Sequence, residues 1–251
     1  MESYYAVTIE NEGIENRAIK AGINSLNEAV SERVGTPGAI LQKRLGKSGE
    51  PWFIYAFFTD YEVWNPDGID DNWEGYSHVF QVRIPTHKDA KEPYPVSFRL
   101  HAYIAWGGWN VYYCFPNSHI DCRLLDYHLT WWFGYSDALP EMDGKYAAEG
   151  TIVNFTERRV LQVAKWLMSN PNNFPAKVDA ERVSIFGGSM GGTGTNFIAM
   201  RNGDVFASGF ADKGISSWAL NKKHNTWAEN IWAKCGIPEK NLRHWKVNTY
   251  T

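Results

Sequence analysis

The sequence predicts an α/β fold, a mostly parallel, twisted sheet with helices on both faces. Three observations carry this. An amphipathic stretch at residues 153–168 sets Val160, Val163, Ala164 and Leu167 on one helical face. A β-branched run at residues 182–186 (RVSIF) passes straight into Gly187-Gly188-Ser189-Met190-Gly191-Gly192, and a helix-forming run at 195–201 follows it. Another strand-like run, VFASGFA, fills residues 205–211. Strands that alternate with helices are joined by crossovers, and crossovers give a parallel sheet with helical layers.

The remaining elements follow in order. Residues 14–34 have patchy helical spacing (Ile19, Ile23, Leu26, Val30) and predict a surface helix, broken by Gly35-Thr36-Pro37-Gly38. The aromatic run WFIYAFF at 52–58 has strong strand preference. Asn65-Pro66-Asp67-Gly68 is a turn, because proline fixes φ and glycine accepts a positive one. Residues 76–85 (YSHVFQVRIP) and 96–104 (VSFRLHAYI) read as strands around a polar, proline-bearing turn at 88–95. Residues 120–127 (IDCRLLDY) read as a third strand, and Asn170-Pro171 ends the helix at 153–168. No internal repeat is present.

Composition narrows the function classes. A net charge of -3 argues against nucleic acid, which needs a concentrated basic face. No apolar run is long enough to span a bilayer, and the start, MESYYAVTIENEG, lacks the basic and apolar parts of a signal peptide. Localisation is therefore open: cytoplasmic if this is the true start, secreted or periplasmic if it is not. The three cysteines, Cys114, Cys122 and Cys235, lack zinc spacing, and buried free thiols are favoured over a Cys114–Cys122 bridge. The cluster Asp67, Asp70, Asp71 and Glu74 lacks the spacing of a calcium loop, so it reads as solvated loop carboxylates. No metal and no cofactor is expected. Asn154-Phe155-Thr156 fits a glycosylation acceptor, but it opens a helix and is discounted.

Gly187-Gly188-Ser189-Met190-Gly191 satisfies G-x-S-x-G, with a strand before it and a helix after it. A serine on such a turn projects its Oγ above the sheet, and flanking glycines remove Cβ atoms that would clash there. The alternative is a phosphate loop, which needs a lysine after its glycines, and none follows here. Ser189 is thus the expected nucleophile of acyl transfer.

The run VDAERVSIFGGSMGGTGT resembles the nucleophile elbow of α/β-hydrolases, in the prolyl-oligopeptidase-like and esterase D/feruloyl-esterase-like branches. EPYPVSFRLHAYIAWGG is similar to their third strand and oxyanion loop, and TWWFGY and NFTERRVLQVAKWL also fit. The resemblance covers residues 76–220 and implies a catalytic domain over 76–251, after an N-terminal extension or partial β-rich region over 1–75. It implies oxyanion donors at the N–H of Met190 and in the loop after His101, at Ala102 or Tyr103. Here the chain departs from the family: Ala102 and Tyr103 stand where glycines are usual, and Gly107 and Gly108 come later. His101 is structural in this reading. The triad order, serine then acid then histidine, leaves Asp212, His224 and His244 as candidates. The family places its acid and histidine further on, so the expectation is a chain incomplete at its C-terminal strands.

Trp131-Trp132-Phe133-Gly134-Tyr135 follows a strand and so falls at the carboxyl edge of the sheet, where ligands bind. Either the loop packs onto its own domain, or Trp131, Trp132 and Tyr135 wall a substrate site. The expected function is a serine hydrolase acting on a small-molecule or carbohydrate ester, carbohydrate- or aryl-linked. The alternatives are a prolyl-oligopeptidase-like peptidase, or a non-catalytic hydrolase-fold module that binds glycans. Oligomeric state is not fixed by the sequence.

Overall fold

The computed structural model describes residues 2–31, 38–45, 51–58, 77–103, 118–126, 129–136, 151–216 and 231. The chain forms two compact units, Met1–Pro37 and Gly38–Thr251.

In the first unit, β1 (Glu2–Ser3) pairs antiparallel with β4 (Val30–Ser31), and β2 (Ile9–Asn11) forms a hairpin with β3 (Ile14–Asn16). Glu12 and Gly13 turn that hairpin with φ of 51° and 78°, the doubly positive pattern that matches strand twist. Among the described residues 14–31, the surface helix expected over 14–34 is absent. Asn24 explains why: its side chain accepts from the Lys20 N–H at 2.7 Å and donates to the carbonyls of Val7 and Ala18. Those bonds close a turn, and Gly22 at φ 72° completes it.

The second unit is built on a seven-stranded sheet. Its strands are β5 (Ile40–Leu45), β6 (Trp52–Phe58), β7 (Ser77–Arg83), β8 (Tyr94–Leu100), β9 (Ile120–Leu124), β12 (Val178–Gly188) and β13 (Ser208–Asp212), in the order β13-β12-β8-β9-β7-β6-β5. Two short strands, β10 (Tyr135–Ser136) and β11 (Ile152–Val153), pair beside it. The sheet is mixed rather than mostly parallel. Pairings from β13 to β9 are parallel, and those from β9 through β7 and β6 to β5 are antiparallel. β5 and β6 belong to the same sheet as the later strands, and the compact units divide after Pro37.

Register fixes the two faces. Phe98 lies opposite Ile185 and Cys122, and Cys122 opposite Val82, so one face is a continuous apolar layer. The helix Phe155–Met168 covers it through Trp166, whose ring lies 5.1 Å from Tyr55 and 5.7 Å from Phe80. The helix Met190–Arg201 covers the same face, since Ala199 and Thr195 stand over Gly209, the register partner of Ile185. Both described helices therefore lie on one face of the sheet. The buried carboxylate of Glu157 ties them together: it pairs with Arg201 at 2.9 Å and accepts from Asn202 and Asn154. The opposite face carries Asp121, buried with Arg99 and Arg123 as ion-pair partners, and Trp52 stacked under Arg123 at 4.5 Å.

Cys122 is a buried free thiol, and burial beside Asp121 pushes its pKa well up, so it stays an unreactive thiol. Cys114 lies outside the described residues. His119 bonds the Ser97 hydroxyl at 3.0 Å, and burial, aided by Arg182, holds its pKa below the usual value. Its neutral form is favoured in the folded chain. That contribution to stability is complete above about pH 6.5 and is lost as pH falls from there towards the lowered value. Melting temperatures between pH 7.5 and pH 5 should therefore drop less in His119→Gln than in the parent.

Candidate active site

Two strand ends build the site. From β8 the chain moves to β9 on one side, and from β12 to β13 on the other. The carboxyl ends of β8 and β12 thus flank the point where strand order reverses, the place where open α/β sheets bind ligands. Ser189 follows β12 and His101 follows β8.

Ser189 has φ 56° and ψ -118°, a conformation that strains any residue with a Cβ. It is exposed, while Gly187, Gly188, Met190 and Gly191 around it are buried. The strand–serine–helix turn expected from the motif is therefore present. The turn is tight because backbones meet there. A Cβ on Gly187 would stand 2.5 Å from the Gly191 carbonyl carbon and 2.7 Å from the Leu100 oxygen. One on Gly191 would strike the Leu100 carbonyl and lie 2.9 Å from that of His101. Ser189 N–H donates to the Asp212 carbonyl at 2.8 Å, and the Ser189 carbonyl accepts from Thr193 N–H at 2.9 Å. The ends of β8, β12 and β13 and the first helical turn converge on this serine.

Met190 opens the helix and is buried, with its N–H at the electropositive end. Ala102 and Tyr103 are half-buried directly after β8. His101 is buried, and both ring nitrogens are engaged: Nε2 accepts from the Asp126 N–H at 2.9 Å, and Nδ1 bonds the Ala102 carbonyl at 2.8 Å. Both hydrogen bonds of the ring are to backbone groups. The structure brings Asp212 beside Ser189, where its carbonyl accepts the Ser189 N–H. His224 and His244 lie outside the described residues.

The aromatic loop differs from the substrate-wall reading. Trp131 and Trp132 are 3% and 1% exposed. Trp132 donates its Nε1–H to the His101 carbonyl at 3.1 Å, crosses the His101 ring edge-on at 4.9 Å, and packs against the bare Cα of Gly194. A ring so placed supports the site from behind and offers no face to a substrate. Of Tyr135 the backbone alone is described; it pairs with Val153. Sequence reading also missed Gly194 and Gly214, where a Cβ would meet Trp132 and Gly192 in turn, while at Gly192, already part of the motif, it would meet Asp212. The run GGSMGGTGT was the available signal for Gly194; Gly214 lies outside it. Trp132→Ala is expected to destabilise the fold by about 3–5 kcal/mol, measured by urea denaturation, through the cavity it leaves.

Residues 159–251 match the prolyl oligopeptidase family, less than half of the chain. No curated protein matches it. Among solved structures, it is similar to a fluorophosphonate-binding serine hydrolase of Staphylococcus aureus at 15% identity and TM-score 0.49, covering 79% of this chain and 72% of that one. An S-formylglutathione hydrolase of Agrobacterium tumefaciens gives 16% identity and TM-score 0.45 over 78% and 68%. A glucuronoyl esterase of Teredinibacter turnerae gives 13% and 0.43 over 75% and 49%. Likenesses this distant carry no argument about chemistry. The strand–serine–helix turn and the match over residues 159–251 are what this chain shares with α/β-hydrolases. Its resemblance runs to the prolyl-oligopeptidase-like and esterase branches of that superfamily.

Proposed function

We propose that the chain is a serine hydrolase that cleaves a carboxylic ester through an acyl-enzyme on Ser189. The observation that supports this best is an exposed serine held at φ 56° amid buried glycines. A turn with no chemistry to perform would relax by placing glycine there, so retained strain points to a hydroxyl that is used.

In this reading Ser189 Oγ attacks the ester carbonyl carbon while a histidine, His224 or His244, takes its proton. Asp212 is the candidate acid that orients this histidine. The oxyanion receives the Met190 N–H and an N–H from the Ala102–Tyr103 segment. The tetrahedral intermediate collapses, the C–O bond breaks, and the alcohol leaves with the proton held by the histidine. Water then gives a proton to the same base and attacks the acyl group, releasing the acid and restoring Ser189. An alcohol departs with less help than an amine, so the ester is the better substrate for this arrangement and a peptide bond the harder one. We place the ester on an aryl or carbohydrate alcohol.

Three substrate classes test this: p-nitrophenyl esters, acetylated sugars and aminoacyl anilides. Ester cleavage that disappears in Ser189→Ala is the expected result. Anilide cleavage faster than ester cleavage would move the assignment to a peptidase.

A further inference from the structure

We propose that Asp126 is a positioning residue for the oxyanion site, acting through His101 and Trp132. This goes beyond the reading of Ser189 as nucleophile and rests on it. Asp126 follows β9 and is 2% exposed. Its main-chain N–H donates to His101 Nε2 at 2.9 Å. A ring nitrogen that accepts carries no proton, so His101 keeps its proton on Nδ1 and donates it to the Ala102 carbonyl at 2.8 Å. In a trans peptide the C=O and N–H point opposite ways. Pinning the Ala102 oxygen at the imidazole therefore aims the Tyr103 N–H away from it, as a fixed donor.

The carboxylate acts on a second arm. Asp126 Oδ2 accepts from the Trp132 N–H at 3.1 Å and the Thr130 hydroxyl at 2.9 Å. These bonds hold a turn in which Leu129, Trp131 and Trp132 have φ of 53°, 57° and 65°. Such angles strain side chains by about 1–2 kcal/mol each, so they persist only where surroundings enforce them. Trp132, so held, donates to the His101 carbonyl at 3.1 Å and lies against Gly194 of the serine-bearing helix. The same His101 carbonyl abuts Gly191. One buried residue thereby links the donor loop to the helix that follows Ser189 and fixes their separation.

The test compares Asp126→Ala, Asp126→Asn and Trp132→Phe by steady-state kinetics on p-nitrophenyl butyrate, by rate of fluorophosphonate labelling, and by melting temperature. Asparagine presents a carbonyl oxygen in place of Oδ2 and keeps both accepted bonds. Phenylalanine keeps the packing on Gly194 and loses the bond to His101. In Asp126→Ala, kcat should fall about 100-fold, the loss typical of a displaced oxyanion donor, with KM within about threefold. Asp126→Asn should keep most of the parent's kcat, and Trp132→Phe should lose about tenfold, the worth of one buried hydrogen bond. Labelling rates should follow kcat. Alanine or phenylalanine variants that melt within a few degrees of the parent and keep its kcat overturn the proposal, as does a loss confined to KM. Should Asp126→Ala not fold, Trp132→Phe and Asp126→Asn decide on the same terms. A parent chain that neither labels nor turns over sinks the nucleophile itself and this inference with it. That result is distinct from a labelled parent whose variants are unimpaired.

Discussion

Ser189→Ala is expected to lower ester turnover by about 10⁴–10⁶-fold, the loss found when a triad nucleophile is removed. The hydroxyl is the one group at this turn that can form a bond to an acyl carbon, since Met190 beside it offers a backbone donor and a buried thioether. Stability should hardly change, because alanine at φ 56° suffers the same Cβ strain as serine. Ser189→Gly separates the two effects. It should be equally inactive yet more stable by about 1 kcal/mol, since glycine adopts that φ freely. Paired measurements of turnover and chemical denaturation check both variants, and a glycine variant no more stable than the alanine one would refute the strain.

Gly191→Ala is expected to prevent the second unit from reaching its native packing. The new Cβ would overlap the Leu100 carbonyl and press on that of His101. Both belong to the backbone at the end of β8, a central strand paired on both sides, so neither has a rotamer by which to yield. Overpacking of flexible side chains costs about 1–3 kcal/mol; a clash of backbone with backbone exceeds that. The variant should appear insoluble, or should lack the cooperative melting transition of the parent. Gly203→Ala is the control, because a Cβ there meets nothing.

How much of this was legible in the sequence depended on how local the cause was. WFIYAFF became β6 because aromatic residues suit a strand whether it is buried on one face or two. RVSIFGGSMGG became strand, serine turn and helix because the β-branched run, the glycines and the serine stand together in one motif, although Gly187 and Gly191 are also required by the distant Leu100 backbone. The failures trace to contacts distant in sequence. Ile19, Ile23, Leu26 and Val30 have helical spacing, yet Asn24 bonds Val7 and Gly22 turns the chain, so no helix forms. Trp131 and Trp132 read as a costly exposed pair. They are buried because Gly194, remote in sequence, leaves room for the indole, and Asp126 fixes the turn that delivers it. The sheet reads as parallel from its β12–β8–β9 part, while the antiparallel arm β7-β6-β5 depends on pairings that alternation within one strand does not specify. Of the candidate site, the turn at Ser189 and Met190 was legible from G-x-S-x-G, and the loop after His101 entered through the resemblance of EPYPVSFRLHAYIAWGG. Asp126 was not, since nothing in LLDYHLTWW distinguishes a buried carboxylate from a solvated one.

The tie between Glu157 and Arg201 gives the serine-bearing helix the mechanics of a beam clamped at both ends. At one end, backbone contacts at Gly187, Gly191 and Gly192 leave no slack. At the other, about 17 Å along the axis, Glu157 grips Arg201 and Asn202 with both carboxylate oxygens. A beam held at one end alone pivots there, and its free end swings furthest. Releasing the far clamp would concentrate rotation at the glycine hinge, where Ser189 stands. The position of Ser189 is in this sense maintained from the opposite end of the helix.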